Sequence, residues 1–97
     1  MAALVVRPEA DLDILNAALW YEGERFDLGE QFLAAIERSL KRIEQSPRQF
    51  PLVTATVRRA LVHQFPFGVF FLLEDDTAIV LAVMHLHRDA VDWQARR

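Results

Sequence analysis

The most regular hydrophobic pattern in the chain runs from residue 28 to residue 43. Its apolar positions are Leu28, Phe32, Ile36, Leu40 and Ile43. Intervals of three and four residues place such side chains on one face of a helix. Asp27 and Glu30 predict a capping box at the start of this helix, and Ser46-Pro47 predicts its end because proline disfavours helical backbone before it.

Another helical pattern precedes this one in the chain. Residues 3–7 are rich in β-forming side chains and predict a short strand, after which Pro8 suits the first turn of a helix. From Glu9 the apolar positions again lie on one face of a helix, and Gly23 predicts the end of this helix. Two such helices with a connection of three or four residues predict an antiparallel hairpin whose apolar faces need a cover.

The rest of the chain predicts strands that supply this cover. Residues 57–65, 69–73 and 77–86 have strand composition, and residues 66–68 and 74–76 separate them. We therefore predict an α+β fold with a short N-terminal strand, a two-helix antiparallel hairpin and a three-stranded antiparallel β-meander packed on the helices. The end of the chain, around Trp93, predicts one final turn of helix.

Length and composition predict one domain, residues 1–97, with a single core. The absence of cysteine excludes disulfides and thiolate metal sites. No apolar stretch is long enough for a membrane span or a signal-peptide core, so we expect a cytoplasmic protein. The net charge is −3, with 11 basic residues against 14 acidic ones, which argues against a general nucleic-acid binder.

Three groups of side chains are candidates for a binding or catalytic role. His85 and His87 are two residues apart on a predicted strand, beside Arg88, and such a group suits acid-base chemistry or phosphate binding. The structural alternative is a hydrogen-bonded core histidine and an arginine paired with nearby acids. Two histidines supply only half of a zinc shell, so no metal site is predicted.

The other two groups are pairs of adjacent residues. Arg58 and Arg59 point to opposite faces of a strand, so only one of them serves a given surface; a solvated strand edge is the alternative role. Trp20 and Tyr21 lie on diverging faces of a helix. An exposed aromatic side chain here would be a protein-binding anchor, whereas core packing is the alternative.

Taken in order, six short motifs resemble the RelE/ParE toxin superfamily, in the branch of RelE/ParE family toxins and plasmid-stabilisation proteins. They are Trp20-Tyr21-Glu22, the LGxxF of residues 28–32, the SPxxFP of residues 46–51, Arg58-Arg59, Phe65-Pro66-Phe67 and the HxxR of residues 85–88. The resemblance spans nearly the whole chain. It implies the same fold as the periodicity does, and the function of a toxin in a type II toxin-antitoxin system.

The superfamily divides by mechanism, and the resemblance leaves the enzyme question open. A ParE-like poison of DNA gyrase, neutralised by a cognate antitoxin and needing no cofactor, is our leading expectation. For its partner-binding surface we name Trp20, Tyr21, Arg58, Arg59 and Arg88. The alternatives are a non-toxic antitoxin-binding domain and a RelE-like ribosome-dependent mRNA endoribonuclease. In the endoribonuclease the catalytic candidates would be Arg58, Arg59, His85, His87 and Arg88.

Overall fold

The computed structural model describes residues 1–88 and Arg96. In chain order the elements are β1 (Ala3–Val6), α1 (Pro8–Glu24), α2 (Leu28–Gln45), a short 3-10 helix (Pro47–Gln49), β2 (Val57–Leu61), β3 (Phe67–Glu74) and β4 (Thr77–His85). The predicted succession of a strand, a helical hairpin and three strands is confirmed. The predicted final turn around Trp93 lies outside the described residues.

The four strands form one mixed sheet in the order β1-β4-β3-β2. β2, β3 and β4 form the predicted antiparallel meander, whereas β1 pairs in parallel with β4 and places Val5 opposite Ile79. A parallel pair needs a long crossover connection. The helical hairpin lies within that connection, so β1 extends the meander on the β4 side.

A bulge changes the face that the side chains of β4 present. Phe70 lies opposite Ala82 but Phe71 lies opposite Val80, which leaves Leu81 as the extra residue. Val80 belongs to the core on the helix side, and Leu81 and Ala82 belong to a core on the other face. Burial on both faces accounts for the continuous apolar run of this strand.

The larger core lies between the helices and the sheet. Phe32, Ile36 and Ile43 of α2 are buried in one cluster with Phe71 and Val80 of the sheet. The predicted packing of the α2 stripe on the sheet is confirmed. Burying side chains of this size contributes about 1.5–3 kcal/mol each, which makes α2 the main apolar anchor of the helical layer.

A smaller core lies on the face of the sheet away from the helices. Its buried members are Val57, Phe70, Leu81, Ala82 and Met84, with Val53, Leu72, Ile79 and Leu86 packed against them. The irregular segment before β2 and the turn after β4 therefore supply part of the cover for this face.

The start of α2 is capped differently from the prediction. Asp27 has a left-handed backbone, φ 70°, and its carboxylate makes no capping hydrogen bond. Instead Glu22 of α1 accepts the Gly29 N–H at Oε1 (2.9 Å) and the Asp27 N–H at Oε2 (3.0 Å). An N-cap side chain reaches these donors from an extended backbone, so the predicted capping box of Asp27 and Glu30 is wrong.

The turn between β2 and β3 comes earlier than the prediction places it. β2 ends at Leu61 rather than at residue 65, and Gln64 takes a left-handed conformation, φ 70°. The Val62 N–H donates to the Phe67 carbonyl oxygen at 2.9 Å and closes this turn. Phe67 and Gly68 therefore begin β3 instead of interrupting it.

No helix of the described part combines the length and the apolar character that a membrane span requires.

Candidate functional site

A cleft of about 330 Å³ opens between α1 and the ends of β3 and β4. We call it the α1-β4 cleft. Its lining residues are Asp13, Asn16, Ala17, Trp20, Tyr21, Phe67, Val83, Met84, Arg88 and Arg96. The helical side chains come from positions three, four and seven residues apart, which is the spacing of one face of α1. Charged, amide and aromatic groups thus share a single concave surface.

Trp20 and Arg88 form the outer rim of the α1-β4 cleft. The Arg88 guanidinium carbon lies 5.7 Å from the centre of the Trp20 ring, a cation-π arrangement. Trp20 is 52% exposed and Arg88 is exposed. A half-exposed tryptophan that holds an arginine against its face can offer both apolar area and guanidinium donors to a partner.

Tyr21 lies on the inner side of the cleft and packs, partly buried, against the core. Its ring centre is 4.9 Å from that of Phe65, 5.3 Å from that of Phe32 and 5.1 Å from that of Trp20. Burial raises the pKa of the phenol, and the positive charge of Arg88 partly opposes this. Of the two adjacent aromatic residues, the structure therefore packs Tyr21 against the core and leaves Trp20 at the surface.

Asp13 joins α1 to β4 and to the C-terminal region. Its Oδ2 accepts the Val83 N–H at 3.0 Å and a guanidinium N–H of Arg96 at 2.5 Å, and the Arg96 carbonyl oxygen accepts a guanidinium N–H of Arg7 at 3.1 Å. The sequence shows Asp13 only as a polar residue off the apolar face of a helix. Its role depends on partners 70 and 83 positions away, so no local pattern could have revealed it.

His85 supports the turn that carries Arg88. Its Nδ1 accepts the backbone N–H of His87 at 3.1 Å and of Arg88 at 3.3 Å. Its ring packs edge-on against Phe67, with ring centres 5.3 Å apart, and the ring centres of His85 and His87 are 5.7 Å apart. The rings of the two candidate histidines therefore lie side by side, as the sequence predicts. The acceptor nitrogen of His85 holds the backbone that presents Arg88.

Arg58 and Arg59 lie away from this cleft, on β2, which β3 separates from β4. Arg58 donates to the carbonyl oxygens of Phe50 (2.6 Å) and Arg48 (3.2 Å) and ties the irregular segment to the sheet. Arg59 is paired opposite Phe70 of the smaller core, whereas Arg58 is opposite Phe71 of the larger one. The two arginine side chains therefore lie on opposite faces of the sheet, as the sequence predicts.

The buried Nε of Arg59 has no hydrogen-bond partner within residues 1–88 and Arg96. The same part of the chain contains no cluster of three or more histidine, aspartate or glutamate side chains with the arrangement of a metal site.

These features define a small α+β domain in which a helical hairpin covers a four-stranded sheet and a mixed polar and aromatic cleft opens at one end. The comparison with solved structures finds several similar chains, among them one in a structure described as a chromosomal ParDE TA system from P. aeruginosa. The TM-score is 0.72 and the identity is 20%, and the match covers 88% of this chain and 96% of that one. The likeness is one of fold, and it confirms the predicted α+β architecture of a helical hairpin packed on a sheet.

No protein-family model and no curated protein sequence matches this chain.

Proposed function

We propose that this chain is the toxin of a type II toxin-antitoxin pair, held inactive by a dedicated antitoxin protein and acting on DNA gyrase in the cytoplasm. The observation that carries the proposal is the likeness of fold to a chain of a ParDE TA system, which covers most of both molecules. The sequence motifs of residues 20–22, 28–32 and 85–88 support it independently.

The α1-β4 cleft supports binding of the antitoxin. Within the described residues no carboxylate pairs with Arg88, and its guanidinium lies over the exposed Trp20 ring. An acidic side chain of the partner would gain charge-assisted hydrogen bonds from Arg88, and an apolar neighbour would gain contact with Trp20. A disordered tail that orders on contact suits this surface, because it can cover a large area and still be degraded when free.

The placement of the basic residues favours a protein target over RNA. Lys41 is the only lysine in a chain of net charge −3, and Arg58 and Arg59 lie on opposite faces of the sheet. Binding to RNA draws much of its affinity from several cations that face the backbone phosphates together. Arg58 is in addition held by two backbone carbonyl oxygens. We therefore propose a poison that acts by protein contact.

Expression of the chain alone in a bacterium tests the target. Gyrase poisoning predicts a DNA-damage response with filamentation, and loss of supercoiling activity when the purified chain is added to gyrase. A rapid halt of translation with cleaved mRNA would contradict the gyrase target and support the ribonuclease alternative. Unaffected growth would contradict toxicity itself.

Co-expression with the small protein encoded beside this gene tests the antitoxin. We expect a complex that survives size exclusion, and about tenfold or greater weakening by Trp20→Ala or Arg88→Ala, as for residues at the centre of an interface. Arg38→Ala, which removes an exposed arginine from α2, is the matched control and should leave the affinity unchanged. Equal effects at Arg38 and Arg88 would show that only overall charge matters.

A further inference from the structure

Helix α1 carries a second surface on the side opposite its buried alanines. Leu12, Leu15 and Leu19 are 58%, 52% and 61% exposed, and their spacing of three and four residues places them in one line along the helix. We call this line the leucine stripe. A surface helix normally keeps polar residues on its outer face, and a contiguous exposed apolar patch marks a site of interaction.

The leucine stripe is bordered by negative charge. α1 contains five acidic residues and no basic one, and of the five only Asp13 has an ion-pair partner in the described part, namely Arg96. At 3.6 residues per turn, Asp11 and Glu22 fall on one side of the stripe and Glu9 falls on the other. All three of these carboxylates are exposed. The surface is therefore apolar along its centre, with two carboxylates on one edge and a single carboxylate, that of Glu9, at the start of the other.

This charge pattern disfavours a second copy of the chain as the occupant. In a two-fold symmetric pair each α1 would meet another α1, so two helices that each carry five acidic residues and no basic one would be brought together. Like charges opposed across an interface cost binding energy and suppress the pairing. The same edges attract a helix that carries lysine or arginine beside its apolar face.

We propose that the leucine stripe seats an amphipathic helix of the antitoxin, with leucine-like side chains along one face and lysine or arginine on both sides of that face. The identity of this partner rests on the proposed function, whereas the chemistry of the helix rests on α1. By helical periodicity, Asn16 and Trp20 are the residues of the α1-β4 cleft that lie nearest the stripe. One partner chain can therefore cover the stripe with its helix and reach Arg88 with a neighbouring acidic segment.

A pair of designed peptides tests the stripe without knowledge of the antitoxin. Each is a stapled helix of about 20 residues with leucines at intervals of three and four, one with lysines flanking the leucines and the other with glutamates. Fluorescence anisotropy at physiological ionic strength measures their binding to the full chain. We expect the lysine peptide to bind at least about tenfold more tightly than the glutamate peptide.

Serine substitutions separate the stripe from general attraction of a basic peptide to an acidic protein. Leu15→Ser with Leu19→Ser should weaken binding of the lysine peptide about tenfold or more, as for the centre of an interface. Leu61→Ser on β2, where the leucine is 52% exposed like Leu15, should change it less than about twofold. Circular dichroism confirms that each variant is folded.

Three peptide results would overturn the inference. They are no binding of the lysine peptide at about 100 μM, equal binding of both peptides, and equal weakening by the Leu15 and Leu61 variants. Sedimentation equilibrium of the chain alone should give a monomer. A dimer that Leu15→Ser dissociates would assign the stripe to a second copy and would also overturn the inference.

The co-expressed neighbour separates failure of this inference from failure of the proposed function. If the wild-type chain forms the complex and the double serine variant binds equally well, the assignment of the stripe is wrong and the toxin proposal stands. If the wild-type chain forms no complex, the antitoxin proposal fails, and the peptides still decide whether the stripe binds a basic amphipathic helix.

Discussion

Replacing Gly29 by alanine tests how closely the two helices cross. A Cβ at this position would lie 2.6 Å from the Ala18 carbonyl oxygen and 3.0 Å from both Cβ and Oε1 of Glu22. The Ala18 oxygen belongs to the backbone and cannot rotate away, so the helices must separate. That separation would also weaken the 2.9 Å hydrogen bond from the Gly29 N–H to Glu22.

The magnitude follows from three contributions. Overpacking of this kind costs about 1–3 kcal/mol, and weakening of the Glu22 cap costs about 0.5–2 kcal/mol. The better helix propensity of alanine offsets at most about 1 kcal/mol. We therefore expect Gly29→Ala to lower the free energy of unfolding by about 2 kcal/mol, which for a domain of this size lowers Tm by about 8–16 °C.

Gly23 provides the matched control, because a Cβ added there would meet nothing within 4 Å. Gly23→Ala should raise the free energy of unfolding by about 0.5–1 kcal/mol through helix propensity alone. Urea unfolding followed by far-ultraviolet circular dichroism measures both variants against the wild-type chain. If Gly29→Ala proved as stable as Gly23→Ala, the close crossing of α1 and α2 would be refuted.

Three further predictions concern the core and the cap. Ile36→Ala should cost about 2–5 kcal/mol in urea unfolding because Ile36 is 3% exposed; a cost no larger than that of Leu33→Ala, at 39% exposure, would contradict the helix-sheet core. Burial raises the pKa of Tyr21, and the positive charge of Arg88 opposes this effect. The stability that comes from burying the neutral phenol is therefore present below the unfolded pKa near 10.0 and is lost as pH rises through the folded pKa. Tyr21 is the only tyrosine, and tyrosinate absorbance should therefore titrate at higher pH in the folded chain than in urea; a lower midpoint would contradict its burial. Glu22→Ala should cost about 1–2 kcal/mol by leaving two backbone N–H groups without their acceptor, and Glu22→Gln should restore part of this loss; identical costs would argue against capping.

Local pattern determined the elements of this fold. The intervals between Phe32, Ile36 and Ile43 predict α2 and its buried face, and the structure confirms both. Helical periodicity needs only neighbours in the sequence, and so does the opposed placement of Arg58 and Arg59 on a strand. The pattern also shows that Trp20 and Tyr21 must diverge, although it does not show which of them faces the core.

Tertiary structure decided everything that joins distant parts of the chain. The parallel pairing of β1 with β4 depends on the path of the helical hairpin between them. The cap that Glu22 gives to α2 depends on how the helices cross, and the link from Asp13 to Arg96 depends on how α1 lies along the sheet. The α1-β4 cleft exists because the folded chain brings Trp20 to Arg88. Such contacts form only once the chain is ordered between the partners, so their energies follow from the whole packing and not from the spacing of residues within one element.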